Sequence, residues 1–166
     1  MEKRIRKHPR LKKYDYSRNG YYFVTICTQD RQPILSDIVC DENNHAEPIL
    51  TDIGQTAEEH LLHIEQRFLG VTIEKYVIMP DHIHVIFVFS DQNVGRGLAP
   101  AVDKQNPALG TAGANPRPTL MDVVCTFKSL TTRLCNEMCG AQGRKFFQTS
   151  FYEHIVKNQQ EFNEIC

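Results

Sequence analysis

Residues 76–89, YVIMPDHIHVIFVF, constrain the fold more than any other stretch. β-Branched and aromatic residues on both sides of Pro80 and Asp81 predict two strands joined by a tight turn. The second of these strands, 82–89, is largely apolar on both faces, which predicts a central strand covered on at least one side. Two imidazoles interrupt it, His82 and His84. Residues two apart on a strand share a face. Ile83, Val85, Phe87 and Phe89 then form the core side, and Ile86 and Val88 continue the histidine side. The histidines mark the end of the sheet where its second face turns polar. Two neutral imidazoles on one rigid strand can share a divalent ion, with a third ligand from elsewhere in the fold. Spacing alone fits two satisfied surface histidines as well; the apolar setting is what favours a site. Asp81 next to them either fixes the turn or orients a histidine.

The rest of the chain supplies partners for this hairpin. GYYFVTICT, 20–28, reads as a first strand. A polar excursion follows, with room for a short hairpin. Thr51 can cap a helix over 51–68 whose stripe is Ile53, Ala57, Leu61, Ile64 and Phe68, ended by Gly70. A second helix starts at Thr119 and stops at Gly140 or Gly143. Its stripe is Leu120, Val124, Phe127, Leu130 or Thr131, Leu134 and Met138. KFFQTSFY, 145–152, reads as a fourth short strand, and from Glu153 the spacing of Ile155, Val156, Phe162 and Ile165 suggests a last helix. The order β-α-β-β-α-β predicts an α+β fold of the ferredoxin-like split β-α-β kind: a four-stranded antiparallel sheet, helices on one face, and a C-terminal helix that stops without a cap at Cys166. The whole of 1–166 is expected to form one domain. Residues 91–118, rich in Gly, Pro, Asn and Ala, read as a flexible insertion in it.

Charge is unevenly spread. The net charge of −1 divides into +6 over residues 1–18 and −7 over the remainder. Clustered cations attract phosphate wherever they lie on a chain, so Arg4, Arg6, Lys7, Arg10, Lys12 and Lys13 form a candidate nucleic-acid arm. Tyr14 and Tyr16 within it could stack on bases. Lys128 and Arg133, on the second helix, are candidates for phosphate contact or a solvated face. His60 and His63 sit at the edge of the first helix stripe and read as mostly exposed; His154 could face either way. Six cysteines without a CxxC pair, in a chain long enough to fold unaided, read as reduced and cytoplasmic. Cys135 and Cys139, four apart on one helix, have no third cysteine nearby for a metal. No apolar run reaches the length of a membrane span.

Three segments together resemble a known family: GYYFVTICTQDRQPIL, YVIMPDHIHVIFVF, and FKSLTTRL followed by KFFQTSFYEHIVKNQQEFNEI. They look like the IS200-like single-tyrosine transposases of the histidine–hydrophobic–histidine type, and among these like the repeat-associated tyrosine transposases. The likeness runs from about residue 10 to the end, apart from 91–118. It implies that His82 and His84 bind Mg²⁺ or Mn²⁺ and that single-stranded or hairpin DNA is the substrate. It further implies cleavage and rejoining through a 5′-phosphotyrosine, and a homodimer joined at sheet edges. The family's tyrosine lies on the last helix in a Y-I-x-x-[NQ] motif, which the likeness places just beyond Cys166. The chain is therefore expected to break off before its nucleophile and third ligand. Tyr152 is the nearest substitute, although packing the end of the fourth strand is its more ordinary role. Two alternatives stand beside this reading: a non-catalytic DNA-binding module, and an RNA-binding ferredoxin-like domain. The latter carries aromatics on the middle strands of its open face, where this chain has His82 and His84.

Overall fold

The computed structural model describes residues 14–40, 45–91 and 117–165. Its main sheet contains β1 (Gly20–Cys27), β4 (Val71–Met79), β5 (His82–Phe89) and β6 (Tyr152–Val156) in the order β4-β5-β1-β6. Every neighbouring pair is antiparallel. β5 is central, as its two apolar faces require. The polar excursion contains a separate hairpin, β2 (Ser36–Cys40) with β3 (Ala46–Leu50).

Helices α1 (Asp52–Leu62), α2 (Ile64–Arg67) and α3 (Leu120–Cys139) cover one face of the sheet. Tyr22, Val24 and Ile26 of β1 and Ile83, Val85 and Phe87 of β5 are almost wholly buried beneath them. Local chemistry sets the helix ends. Thr51 accepts from the Gly54 amide at 3.1 Å and opens α1. Thr119 and Asp122 form a reciprocal capping box at the start of α3. Gly140, at φ 61°, closes α3 in the left-handed conformation that costs glycine least. Gly54 answers a different demand: a Cβ there would stand 1.9 Å from the Leu35 carbonyl oxygen, so only glycine lets α1 start against the loop before β2.

Four expectations change. The first helix breaks at His63, leaving α1 and the one-turn α2. In α3 the stripe is Leu120, Val123, Val124, Phe127, Thr131 and Cys135, whereas Met138 is half exposed. The fourth strand lies later than 145–152: Phe147 makes only an isolated bridge to Thr28, and the ladder proper runs Tyr152–Val156. Glu153 is therefore in a strand, and the last helix, α4 (Gln159–Ile165), begins six residues later. α4 sits at one end of the sheet face opposite α1 and α3, with Phe162 edge-on to Tyr21 at 5.4 Å.

Candidate functional site

Residues directly opposed across an antiparallel ladder share a face. His84 opposes Val77 on β4 and Thr25 on β1, and Thr25 in turn opposes Tyr152 on β6. His82 opposes Met79 and Cys27. Val77, His84, Thr25 and Tyr152 thus form one row on the face away from α1 and α3. α4 covers the far end of that face, so the histidine end stays open.

The imidazoles are held by their own strand and by its neighbour. His82 Nδ1 lies 2.6 Å from Asp81 Oδ1, in the turn that begins β5. A carboxylate only accepts, so neutral His82 carries its proton on Nδ1 and presents a lone pair at Nε2. His84 Nδ1 lies 2.9 Å from the Thr25 hydroxyl, and the His84 ring stacks on Phe23 at 5.1 Å. The two Nε2 atoms face each other at 3.0 Å. The Thr25 hydroxyl can donate or accept. When it donates, His84 Nε2 keeps a proton and hydrogen-bonds to His82. When it accepts, both Nε2 atoms offer lone pairs to the same point. Two nitrogens bound at about 2.1 Å in adjacent octahedral positions lie about 3.0 Å apart, so the pair fits a shared divalent ion. Among the described residues no group of three or more His, Cys, Asp or Glu side chains that could hold a metal ion converges.

Electrostatics favour the neutral form of His84. Burial first, then the neighbouring His82 and Arg31, lower the pKa of His84 below the ordinary histidine value. The hydrogen bond from His82, helped by Arg31, holds the Asp81 carboxyl below its usual range. Arg31 Nε stands 3.4 Å from Asp81 Oδ2, and its Nη1 lies 3.3 Å from Cys27 Sγ. Burial raises the Cys27 thiol, which makes it an inert neighbour.

The other candidates are scattered. Arg4, Arg6, Lys7, Arg10, Lys12 and Lys13, most of 91–118 and Cys166 lie outside the described residues. Tyr14 and Tyr16 are half-buried, pack edge to face at 5.0 Å and lie against the core, and Tyr16 donates to Glu153 at 3.0 Å. The Lys128 ammonium donates to the Thr149 and Ser150 carbonyls at 3.1 and 3.3 Å, tying α3 to the approach to β6. Arg133 is exposed on α3, the helix on the opposite side of the sheet from the histidines. His154 bonds to Glu161 and anchors α4. Tyr152 does not pack the strand end: its side chain is 64% exposed, and Phe151 fills that place. Cys135 is buried and Cys139 exposed, without a metal cluster around them among the described residues. Thr25 and Arg31 were missed from sequence; Thr25 was visible only as a polar residue inside the first apolar strand.

No family model matches the chain. An uncharacterized protein of Haemophilus influenzae is 28% identical over 162 residues, which is 96% of this chain and 83% of that protein. A solved REP-associated tyrosine transposase bound to a REP hairpin aligns over 94% of this chain and 67% of its own, with a TM-score of 0.51 and 15% identity. The fold is shared. Among the described residues no helix is long and apolar enough to cross a membrane.

Proposed function

We propose that this chain binds single-stranded or hairpin DNA across the open face and belongs to a metal-dependent reaction that cleaves and rejoins DNA strands through a 5′-phosphotyrosine. The observation that carries the proposal is the 3.0 Å approach of His82 Nε2 to His84 Nε2 on an uncovered sheet face. The hairpin-bound transposase of the same fold and the family likeness of residues 76–89 support it. His82 and His84 would hold Mg²⁺ or Mn²⁺. Asp81 and Thr25 orient the two rings, and Asp81 keeps the His82 proton on Nδ1. When bound, such an ion neutralises the anionic phosphodiester and so favours attack on it. The basic segment 1–18 would add phosphate contacts, and a homodimer joined at the β6 or β4 edge is part of the same reading.

All six tyrosines are described. Tyr22 is buried in the core, Tyr14 and Tyr16 pack against it, Tyr21 lies against Phe162, and Tyr76 bonds to Glu58. Tyr152 alone presents an exposed phenol on the histidine row. It stands two strands from His84, about 10 Å at the usual strand spacing, and strand side chains rise roughly perpendicular to the sheet. In this reading Tyr152 flanks the site and supports a base. A second reading follows from that placement: by itself the 166-residue chain is a DNA-binding module without a nucleophile.

A labelled hairpin oligonucleotide tests both parts. With Mn²⁺ the chain is expected to bind it more tightly, and the double variant His82→Ala/His84→Ala should lose the metal-dependent increment. No denaturation-resistant adduct should form. Metal-independent binding that ignores both histidine substitutions would remove the site, and an adduct lost in Tyr152→Phe would make Tyr152 the nucleophile.

A further inference from the structure

We infer that Arg31 is a phosphate-binding residue of this site: a guanidinium fixed at the rim of the histidine pair, taking a non-bridging oxygen of a nucleic-acid backbone. The inference rests on the DNA reading above and adds a recognition element to it.

Three observations point to Arg31. The first is its scaffold. The loop after β1 is stitched to the Pro80–Asp81 turn: Thr28 donates from both its amide and its hydroxyl to the Asp81 carbonyl at 3.0 Å, and the Leu35 amide donates to the Pro80 carbonyl at 3.0 Å. Gln29 donates to the Phe146 carbonyl at 2.8 Å. A loop tied down on two sides holds its side chains in place, as a preorganised site requires.

The second is backbone conformation. Asp30 and Arg31 are consecutive non-glycine residues at φ 54° and 56°. Side chains with a Cβ are disfavoured there, and such strain persists only where surrounding bonds enforce it. At this loop it turns Arg31 back toward β1 and the start of β5.

The third is the state of the guanidinium. Its contacts to Asp81 and Cys27 use Nε and Nη1, while the side chain remains 54% exposed. Arginine has five N–H donors in a planar fork suited to phosphate. Nη2 takes part in neither of these contacts. Asp81 gives one oxygen to His82 and the other to Arg31, so one carboxylate sets both the imidazole and the guanidinium. A phosphate brought to the histidine pair would meet a cation held through the same carboxylate that orients His82.

The test is the salt dependence of hairpin-oligonucleotide binding by the whole chain, in wild type, Arg31→Gln, Arg31→Lys and the exposed control Arg67→Gln. Removing one phosphate contact lowers the slope of log K against log salt by about 0.7–0.9. Arg31→Gln is expected to show that drop with about ten-fold weaker binding. Arg31→Lys should keep the slope but bind several-fold more weakly, because a point charge replaces the fork. Arg67→Gln should match wild type. If Arg31 serves only to hold Asp81, Arg31→Gln keeps the wild-type slope, and the inference is overturned while the DNA reading stands. If wild type binds no hairpin at all, both fall together. Should Arg31→Gln fail to fold, judged by circular dichroism, Arg31→Lys decides: affinity equal to wild type would overturn the inference.

Discussion

The Thr25 hydroxyl lies 2.9 Å from His84 Nδ1 across the β1–β5 ladder, with Thr25 and His84 directly opposed in register. That contact orients the His84 ring in either tautomer, beside a His82 whose proton the Asp81 carboxylate holds on Nδ1. Thr25→Val keeps the β-branched shape and removes the hydroxyl. Outer-sphere partners of this kind are worth about 10–100-fold in metal affinity. Calorimetric titration with Mn²⁺ should therefore show at least a ten-fold weaker site in Thr25→Val, with little change in thermal midpoint. Unchanged affinity would mean that Thr25 merely fills the strand.

Gly54 gives a stability prediction independent of the site. An added methyl would meet the Leu35 carbonyl oxygen at 1.9 Å, and that acceptor is backbone, which cannot swing aside. Gly54→Ala should cost about 1–3 kcal/mol in urea unfolding. Ordinary helix propensity alone would make the same change stabilising, so the sign of the effect is diagnostic.

His60 gives the pH dependence. Its Nε2 is buried with no hydrogen-bond partner among the described residues, and burial first, then the neighbouring His63, lower its pKa below the ordinary value of 6.5. The unfolded chain then binds the proton more readily than the folded one. Its contribution is fully present above about pH 6.5 and is lost as pH falls toward the lower folded pKa. His60→Met should flatten the fall in stability below pH 6.5, measured by urea unfolding at a series of pH values. An identical pH profile in the variant would show that His60 is solvated when charged.

Apolar residues on both faces of 82–89 placed β5 at the centre, and a period of two set His82 and His84 on one face. Thr51, Thr119 and Gly140 were legible for the same kind of local reason: caps and left-handed turns depend on neighbours in sequence. The end of the chain was not. Ile155, Val156, Phe162 and Ile165 suit a helical stripe, yet Ile155 packs toward the main core while Val156 and Phe162 lie with Tyr21 on the other face. Only the sheet reveals that these apolar residues serve opposite sides. The roles of Thr25 and Arg31 were not legible for a related reason. Thr25 reaches His84 through strand register across 59 positions, and Arg31 reaches Asp81 because two residues adopt a conformation that no composition rule favours there.

Shared binding of one divalent ion by His82 and His84 on the open face is the proposal on which the rest of the function depends. The most direct measurement is a Mn²⁺ titration followed through the histidine ring signals of the whole chain. The His82 and His84 signals are expected to broaden together at the lowest ion concentration, while those of His60, His63 and His154 persist. Persistence of the His82 and His84 signals at ion levels that broaden the other histidines would contradict it.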